Sequence, residues 1–391
     1  MNYRTKLFVD RIIGPPVSLL FNMIALAAGA VLRRDHSFRP LDGKRVVVCK
    51  IVGMGSIVEV APHLLSLKKK YPKAIVTFVT SSSNKELMQM LSEYIDEVLY
   101  VNDSSFLKLA LSTADTIVKL MLRNADTFIN LEVYSYFTTF ISILSLSRNR
   151  YSYYRKSAAF RNGIDTHHIY FNTKRPLQEV YAQVMLLLQV EAIEQTSKFP
   201  FLIADEDKQK VNEFFRNNNV ERFVIINSNA SDLMPERKWL VENWLTTIEY
   251  LLKETPFTVL LSGSSAEKAG VEEQFSEVLY KHADRVKNVA GDFGLAAYTF
   301  LLRHAEFMIS NDSGPLHLAF SQKTKCISLW GPTDPAHLAL KSKNNYELYK
   351  EVYCSPCLHH ADKPPCKGNN ICMKNITSAE VIEKIQLLQN S

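Results

Sequence analysis

Hydrophobic β-branched runs alternate with helix-length amphipathic stretches along most of the chain. Short apolar runs separated by helical sequence are typical of buried parallel strands joined by right-handed crossovers. We therefore predict an α/β protein with two Rossmann-like, doubly wound domains. The predicted strands are 45–52, 74–81, 97–101 and 125–131 in the first series, and 222–228, 257–263, 286–291, 306–312 and 326–331 in the second.

The two series are separated by an apolar helix, predicted from Gln178 to about Ile193, and by a linker near Ser197 to Asp207. Ligands of such sheets bind beyond the carboxyl ends of the strands, so two facing domains would place a site in the cleft between them. The predicted divisions are an N-terminal apolar segment at 1–40, a first domain at 41–200, and a second domain at 201–391 with a cysteine-rich loop at 354–372 and a closing helix at 377–388.

The N-terminal segment is apolar from Pro16 to Leu32 apart from Ser18 and Asn22. A helix that spans a bilayer needs about 20 such residues, so a spanning anchor is one interpretation. Small residues after the apolar run also fit a cleaved signal peptide, and a core helix is a further alternative. Cations on both sides suit a helix that lies on an anionic membrane face. These flanking cations are Arg4, Lys6, Arg11, Arg33 and Arg34.

Composition narrows the class of protein. Of the 391 residues, 47% are hydrophobic and 22% are charged, a balance that excludes a disordered, collagenous or polytopic membrane chain. The formal net charge is +6, but no Lys/Arg block of the kind that follows a nucleic-acid backbone is present. We therefore expect an anionic small substrate or a membrane surface as partner, and no nucleic acid.

The stretch from Ser310 to Pro335 carries the clearest chemical signal. A predicted strand ends at Asp312, a Ser-Gly pair turns the chain, and Pro315 suits the first turn of the next helix because its missing N–H has no partner there. Such a helix N-terminus binds phosphate through its backbone N–H groups and its dipole. Asp312 is suited to cap the helix or to hold a sugar hydroxyl.

Four ordered motifs resemble those of glycosyltransferase family 9, which includes the ADP-heptose:lipopolysaccharide heptosyltransferases. They are KIVGMGSIVEVAPHLLSLKKKYP at 50–72, PERKWLVENW at 235–244, LLSGSSAEK at 260–268, and SNDSGPLHLA with the following GPTDP at 310–335. The resemblance extends from about Arg45 to the C-terminus. It implies the GT-B arrangement, with an acceptor on the first domain and a nucleotide-sugar donor on the second.

The resemblance also assigns donor-side roles. Arg237 takes the place of a phosphate-binding cation, Glu267 that of a ribose ligand, and the 312–317 turn would surround the diphosphate and sugar. Each residue has a plainer alternative: a solvated helix start for Arg237, a surface helix residue for Glu267, and a core histidine for His317. The donor residues implied are Arg237, Lys238, Gly263, Glu267, Asp312, Ser313, Gly314 and His317.

The acceptor loop departs from the family. The heptosyltransferase loop ends in an Asp that acts as general base, whereas this loop runs from Gly53 through Gly55 to Ser56. A serine hydroxyl is not a workable base near neutral pH. Glu59, one helical turn further on, and Glu132, at the end of a predicted strand, are the candidate replacements; either could instead be structural.

No metal is expected to be required for transfer, since Asp205-Glu206-Asp207 is better explained as the cap of a helix than as a metal clamp. The cysteines pose a separate question. The C-terminal part contains Cys-x2-Cys followed by two further cysteines, a spacing that suits a structural zinc or iron site. Disulfides in an exported protein and free thiols are the alternatives. The cysteines are Cys354, Cys357, Cys366 and Cys372.

Taken together, these residues predict an inverting, metal-independent glycosyltransferase. The expected donor is an ADP-heptose-like nucleotide sugar, with heptose as the candidate sugar, and the expected acceptor is lipopolysaccharide or another lipid-linked envelope glycan. Because nucleotide sugars are cytoplasmic, the N-terminal segment is best interpreted as a helix on the cytoplasmic face of the inner membrane. The alternative function is a catalytically silent nucleotide-sugar-binding or scaffold protein that lost its base at Ser56.

Overall fold

The structure is a computed structural model, in which residues 3–32, 38, 40–154, 156, 162–191, 197–230, 234–358, 361 and 364–389 are described. The chain forms two compact units, Met1–Glu194 and Gln195–Ser391. Each unit contains one parallel sheet with helices, and we describe each by itself.

The N-terminal unit has a six-stranded parallel sheet in the strand order β3-β2-β1-β4-β5-β6. This is the order of a dinucleotide-binding Rossmann sheet, with the reversal of strand order between β1 and β4. Its strands are β1 (Arg45–Cys49), β2 (Ile75–Ser81), β3 (Glu97–Val101), β4 (Thr127–Asn130), β5 (Asn149–Tyr154) and β6 (His167–Tyr170).

The helices of this unit are α1 (Tyr3–Leu32), α2 (Met54–Lys70), α3 (Lys85–Met90), α4 (Phe106–Leu122), α5 (Phe137–Leu144) and α6 (Leu177–Leu187), with a 3-10 turn at Ser82–Asn84. Helix α2 packs against α6, and α5 contacts both α1 and α4. Buried Leu120 of α4 and Ile141 of α5 join Phe128 of β4 in one apolar cluster, so α4 and α5 cover the sheet.

Helix α1 docks on the N-terminal unit through small and polar residues that recur every four positions and therefore share one face of the helix. The Asp10 carboxylate accepts hydrogen bonds from the backbone nitrogens of Tyr136 (2.9 Å) and Phe137 (2.8 Å) at the start of α5. At Gly14 any Cβ would lie 2.6 Å from Tyr136. Ser18 is fully buried. The docking residues are Asp10 and Gly14, which lie against the start of α5, the buried Ser18, and Asn22, which lies beside Gly163.

The remaining surface of α1 is apolar and exposed. The stretch Phe8–Val31 is long and apolar enough to cross a membrane, and little of it is buried. The helix begins well before the predicted run and contains both Pro15 and Pro16. Arg33 and Arg34 lie outside the described residues. The exposed large apolar side chains are Phe8, Ile12, Ile13, Leu19, Leu20, Met23, Ile24, Leu26 and Val31.

The C-terminal unit repeats the Rossmann order, which becomes β12-β11-β10-β7-β8-β9 when written from the opposite edge. All neighbouring strands are parallel, and strand order reverses between β7 and β10. Its strands are β7 (Phe223–Asn227), β8 (Thr258–Leu261), β9 (Val286–Asn288), β10 (Met308–Asn311), β11 (Cys326–Trp330) and β12 (Asn345–Tyr349).

The helices of the second unit cover a core that includes Trp244 and Phe275, and the C-terminal helix packs against α8. They are α7 (Asp205–Asn217), α8 (Val241–Glu254), α9 (Lys268–Gln274), α10 (Ser276–Lys281), α11 (Leu295–Leu302), α12 (Gly314–Ser321), α13 (Pro335–Leu338), α14 (Ile371–Lys374) and α15 (Ser378–Gln389), with 3-10 turns at Pro235–Arg237 and Ser265–Glu267.

The predicted α/β class with two Rossmann-like, doubly wound domains is confirmed. All nine predicted strands are present, eight with shorter bounds and 97–101 with the predicted ones, and three strands of the described residues were missed. The missed strands β5, β6 and β12 read NRYSYY, HHIY and NYELY, so polar and aromatic residues replace the β-branched run that marks a buried strand. The predicted helix from Gln178 to Ile193 is also too long, because α6 ends at Leu187 and Gln189 takes a positive φ of 56°.

Candidate donor site and acceptor loop

The turn between β10 and α12 is held by side chains from three segments. Asn311 closes β10; its side-chain amide donates to the Ser228 carbonyl (2.8 Å) and accepts from the Trp239 backbone nitrogen (3.3 Å). Ser313 is extended and precedes α12, whose first turn contains Pro315. The helix N-terminus is therefore fixed in place, and its backbone N–H groups have the geometry that binds phosphate in other proteins.

Asp312 is the centre of this site and does not cap the helix. Its Oδ2 atom accepts a hydrogen bond from Thr333 Oγ1 (2.6 Å) and pairs with Arg237 Nη1 (3.3 Å). The carboxylate is buried, and His317 Nε2 lies 3.9 Å from Oδ1. Asp312 therefore joins three predicted elements: the Arg237 turn, the 310–317 turn and the second turn at 331–335.

Two polar residues that hold the 310–317 turn and Asp312 were missed by the sequence analysis. Asn227, the last residue of β7, donates to Ser313 Oγ (2.8 Å) and Ser310 Oγ (3.2 Å). Thr333 orients Asp312 as described above. The available signal was position: both residues follow or end a buried strand at the carboxyl edge, where ligands of parallel sheets bind.

The end of the site that is predicted to bind ribose contains Gly263, Glu267 and a residue that was not predicted, Asn229. Glu267 Oε2 accepts hydrogen bonds from the Ser264 nitrogen (2.7 Å) and Oγ (2.8 Å) and completes a capping box. A Cβ at Gly263 would lie 3.2 Å from Asn229 Nδ2 and 3.3 Å from Glu267 Oε2. The buried Asn229 Nδ2 has no partner among the described residues, so it is a donor that a ligand could satisfy.

Lys238 lies at the end of the Pro235–Arg237 turn. Its backbone nitrogen donates to the Pro235 carbonyl (3.0 Å), and its own carbonyl accepts from Asn370 Nδ2 (3.0 Å). The same amide donates to Glu236 O (2.9 Å). Asn370 of the cysteine-rich segment therefore supports the turn that carries Arg237.

The acceptor loop of the N-terminal unit begins with Gly53, whose φ of 95° is in the left-handed region that favours glycine. Gly55 and Ser56 lie in the first turn of α2. Ser56 forms a side-chain hydrogen bond with Tyr181 of α6, and burial raises the pKa of Tyr181, so the phenol stays protonated. At the position where the resemblance places the family base, the Ser56 hydroxyl therefore lies beside the Tyr181 hydroxyl.

The two candidate bases have different surroundings. Glu132 Oε1 accepts from the backbone nitrogens of Ile51 and Val52 (both 2.9 Å), and its Oε2 pairs with Lys50 Nζ (2.9 Å). This arrangement makes Glu132 a clamp on the segment after β1. Glu59 is buried in the second turn of α2.

Glu59 lies close enough to Tyr181 and His63 to raise the pKa of each electrostatically. Burial lowers the pKa of His63 to about 4, and its Nε2 lies 3.1 Å from the Gln178 carbonyl oxygen. A neutral imidazole therefore donates this hydrogen bond at pH 7. Of the two carboxylates, only Glu132 accepts hydrogen bonds from the backbone nitrogens that follow β1 in the described structure.

The four C-terminal cysteines lie close enough to influence one another electrostatically. Burial and the neighbouring thiols raise the pKa of Cys357, and burial raises the pKa of Cys372 to about 11. All four thiols are free, as are Cys49 and Cys326. Within the described part of the chain, no three His, Cys, Asp or Glu side chains are disposed to hold a metal ion, so the predicted metal site stays a prediction.

The acidic triplet at 205–207 forms the first turn of α7, in agreement with a helix-start role. Asp205 pairs with Lys208 (2.7 Å) one turn later.

Comparison with known protein families identifies the family of this chain. The profile of glycosyltransferase family 9 (heptosyltransferase) matches residues 122–367. The chain belongs to this family. A lipooligosaccharide heptosyltransferase 2 from Campylobacter jejuni is 27% identical over 135 residues, which are 34% of this chain and 41% of that protein. The aligned segment thus spans less than half of that curated relative.

Solved structures resemble the chain over a greater length. The family 9 glycosyltransferase from Veillonella parvula has a TM-score of 0.72 at 20% identity, covering 90% of this chain and 99% of that chain. The E. coli ADP-heptose lipopolysaccharide heptosyltransferase II has a TM-score of 0.69 at 16% identity, covering 88% and 98%. These similarities include both units and confirm the predicted fold class.

Proposed function

We propose that this family member is an inverting, metal-independent glycosyltransferase that moves heptose from an ADP-heptose-like donor to a lipopolysaccharide or related envelope glycan. The observation that carries the proposal is the meeting of Arg237, Asp312 and Thr333 beside the N-terminus of α12. Family membership and the named heptosyltransferase relatives support the choice of sugar.

The proposed reaction is a single displacement. The acceptor hydroxyl oxygen attacks the anomeric carbon while the bond from that carbon to the phosphate oxygen breaks. The electron pair leaves with the diphosphate, and the acceptor proton passes to a base. Charge that grows on the diphosphate would be stabilised by the Arg237 guanidinium and the α12 N-terminus, which can take the place of a metal ion.

We assign the base role to Glu59. Its rival Glu132 is held by two backbone nitrogens and Lys50, so protonation of Glu132 would disrupt the end of β1. Ser56 and Tyr181 are hydroxyl groups and cannot accept the proton near pH 7. The alternative function, a silent nucleotide-sugar-binding protein, is favoured by one observation: Ser56 stands where the family base is expected.

The experiment that tests the proposal combines binding with turnover. The full chain is heated with ADP, UDP, ADP-heptose and UDP-glucose, because a ligand that binds only the folded state raises the melting temperature. The protein is then incubated with labelled ADP-heptose and envelope glycan that lacks heptose. We expect stabilisation by ADP compounds and labelled glycan. Stabilisation without transfer would favour the silent protein, and no stabilisation by any nucleotide would refute both.

We also propose that the protein is cytoplasmic and lies on the inner membrane face through α1. The polar docking stripe of α1 faces the start of α5 and Gly163, and the apolar surface of the helix faces outward, the reverse of a helix that covers a soluble core. The contacts run from Asp10 to Asn22, about 18 Å of helix at 1.5 Å per residue. A helix bound along the domain over this length is suited to lie in the membrane interface.

The cysteine-rich segment is proposed to hold a structural zinc or iron ion, with no role in the transfer reaction. What supports this is the Cys-x2-Cys spacing and the mutual electrostatic influence of the four thiols. The segment supports the Arg237 turn through Asn370, so a metal there would act on the donor site only by stabilising that turn.

A further inference from the structure

Helix α4 has an apolar outer face in addition to its buried face. Thr116 and Leu120 are buried toward the sheet. The opposite face carries large apolar side chains at spacings of four, seven, four residues, which place them in one row. In the described part of the chain these side chains remain largely exposed. They are Leu107, Leu111, Val118 and Leu122, with Phe106 and Met121 beside them.

This row and the exposed apolar surface of α1 lie on two helices that both pack against α5. Helix α5 contacts both α1 and α4, and the aromatic rings of Phe21 and Phe140 join α1 to α5 with centroids 5.7 Å apart. Leu146, just after α5, is also exposed. The largest apolar patch on a soluble monomer is typically about 300–600 Å². On α1 and α4 together, fifteen large apolar side chains are each at least 45% exposed, so these two helices expose an unusually extensive apolar surface for a soluble monomer.

Cations border the α4 row. Lys108 and Lys119 lie along one edge of the helix, and Arg123 follows its last turn. Lys119 pairs with Asp115 (2.6 Å), and Arg123 pairs with Glu97 of β3, so the net positive charge of this edge comes from Lys108. An apolar face with a basic border is the pattern of a helix that rests on an anionic bilayer.

We propose that α4 is a second membrane-contact element, and that its Leu107–Leu122 row enters the same anionic bilayer as α1. This inference rests on the proposed membrane-face role of α1 but is independent of the donor site. The two helices together would fix the orientation of the N-terminal domain on the membrane, since one helix alone permits rotation about its axis. The acceptor domain would then present one defined side to lipid-linked glycans.

The test uses the full chain and vesicles of phosphatidylcholine with and without phosphatidylglycerol. The variant Leu111→Ser/Val118→Ser removes two side chains from the row. The matched control is Leu186→Ser/Leu187→Ser on α6 of the same domain, since Leu111 is 63% and Leu186 is 62% exposed. We expect the α4 variant to bind anionic vesicles at least about tenfold more weakly, from the transfer free energy of two apolar side chains, and the control to bind as wild type.

A second measurement locates the side chains. The three native tryptophans, Trp239, Trp244 and Trp330, are all buried in the C-terminal unit. A tryptophan introduced by Leu111→Trp should be quenched by brominated lipid, and one introduced by Leu186→Trp should not. Equal quenching of the two, or unchanged vesicle binding by the α4 variant, would overturn the proposal.

The alternative partner for the exposed α4 row is a second copy of the chain. Sedimentation of the same variants without lipid distinguishes it: a dimer that dissociates on Leu111→Ser/Val118→Ser, with vesicle binding unchanged, would assign the face to self-association and overturn the proposal. If wild type binds no vesicles, both membrane proposals fail, while stabilisation by ADP-heptose still reports on the donor site.

Discussion

The Arg237 guanidinium pairs with the Asp312 carboxylate across 75 residues of sequence, with Nη1 and Oδ2 3.3 Å apart. Both side chains are largely buried, so the pair is only weakly screened by solvent. Asp312 also accepts from Thr333, which directs the carboxylate toward Arg237. The pair fixes the cation before a donor arrives, and a preorganised charge need not be reoriented during the reaction.

Arg237→Ala should weaken ADP-heptose binding by about tenfold to a hundredfold, the loss expected for a charged hydrogen bond worth about 1.5–3 kcal/mol. Isothermal titration measures it. Lys253→Ala, which removes an exposed cation from α8, is the control and should leave affinity unchanged. Arg237→Lys separates charge from geometry, because a lysine keeps the charge without the planar fork. Unchanged affinity of Arg237→Ala would contradict the proposed pocket.

Glu59→Gln should lower kcat by about a hundredfold or more with little change in KM, because a general base contributes roughly 10²–10⁴-fold. The amide is nearly isosteric, so the buried site can keep its shape. Steady-state kinetics with labelled donor measure the two constants. An active Glu59→Gln enzyme would remove Glu59 from the mechanism.

Ser56→Asp restores a carboxylate at the family position and tests the alternative function. If wild type transfers sugar, the variant should rescue part of the activity lost in Glu59→Gln. If wild type binds donor without turnover and only Ser56→Asp transfers sugar, the silent-protein interpretation is correct. Ser56→Asn is the uncharged control of similar size.

Folding stability should fall as the pH is lowered from about 6.5 to about 4, in part through His63. Burial lowers its pKa from 6.5 to about 4, so over this range the unfolded chain binds a proton that the folded chain does not. The contribution is fully present above pH 6.5 and lost by pH 4, a change of about 3 kcal/mol. Chemical denaturation at several pH values measures it. His63→Gln keeps a donor for the Gln178 carbonyl and should make the free energy of unfolding less dependent on pH. If the variant loses stability as steeply as wild type between pH 6.5 and 4, His63 is not the cause.

Asp10→Ala should destabilise the N-terminal unit by about 1–2 kcal/mol, because the carboxylate satisfies two backbone nitrogens at the start of α5. Thermal unfolding in detergent measures the loss. The matched control is Asp115→Ala, an exposed helical aspartate whose ion pair should contribute less than about 1 kcal/mol. Equal melting temperatures for the two variants would show that α1 is not held by Asp10.

Protein purified without chelators should contain close to one equivalent of zinc or iron if the cysteine prediction is correct. Elemental analysis measures this, and Cys357→Ser should lower the content. Cys49→Ala, which removes a buried thiol of the other unit, should not. Metal-free protein with reactive thiols would leave the cysteines as free side chains.

The sequence determined the fold class and nine of the strands because a buried parallel strand must be apolar on both faces, and that requirement is local. It located the 310–335 turn for a similar reason: a small-residue turn before Pro315 is recognisable without knowing its neighbours. Strands β6 and β12 escaped prediction because they lie at sheet edges, where a partly covered strand tolerates polar and aromatic residues. Strand β5 is buried but also lacks an apolar run, because hydrogen bonds such as Arg150 to Ile164 and Ser152 to Asp165 satisfy its polar side chains.

Tertiary structure decided what the polar residues do, because their partners are distant in sequence. Asp312 accepts a hydrogen bond from Thr333 and pairs with Arg237 instead of capping the helix. Of the two interpretations open for Glu132, base or structural residue, its bonds to the segment after β1 favour the structural one. Asn229 is a candidate ligand-binding residue only because the fold places it next to Gly263 and Glu267. Likewise the sequence showed that α1 is apolar, but only its docking on α5 showed which face is turned outward. Hydropathy depends on composition alone, whereas the exposed face of a helix depends on which side packs against the domain.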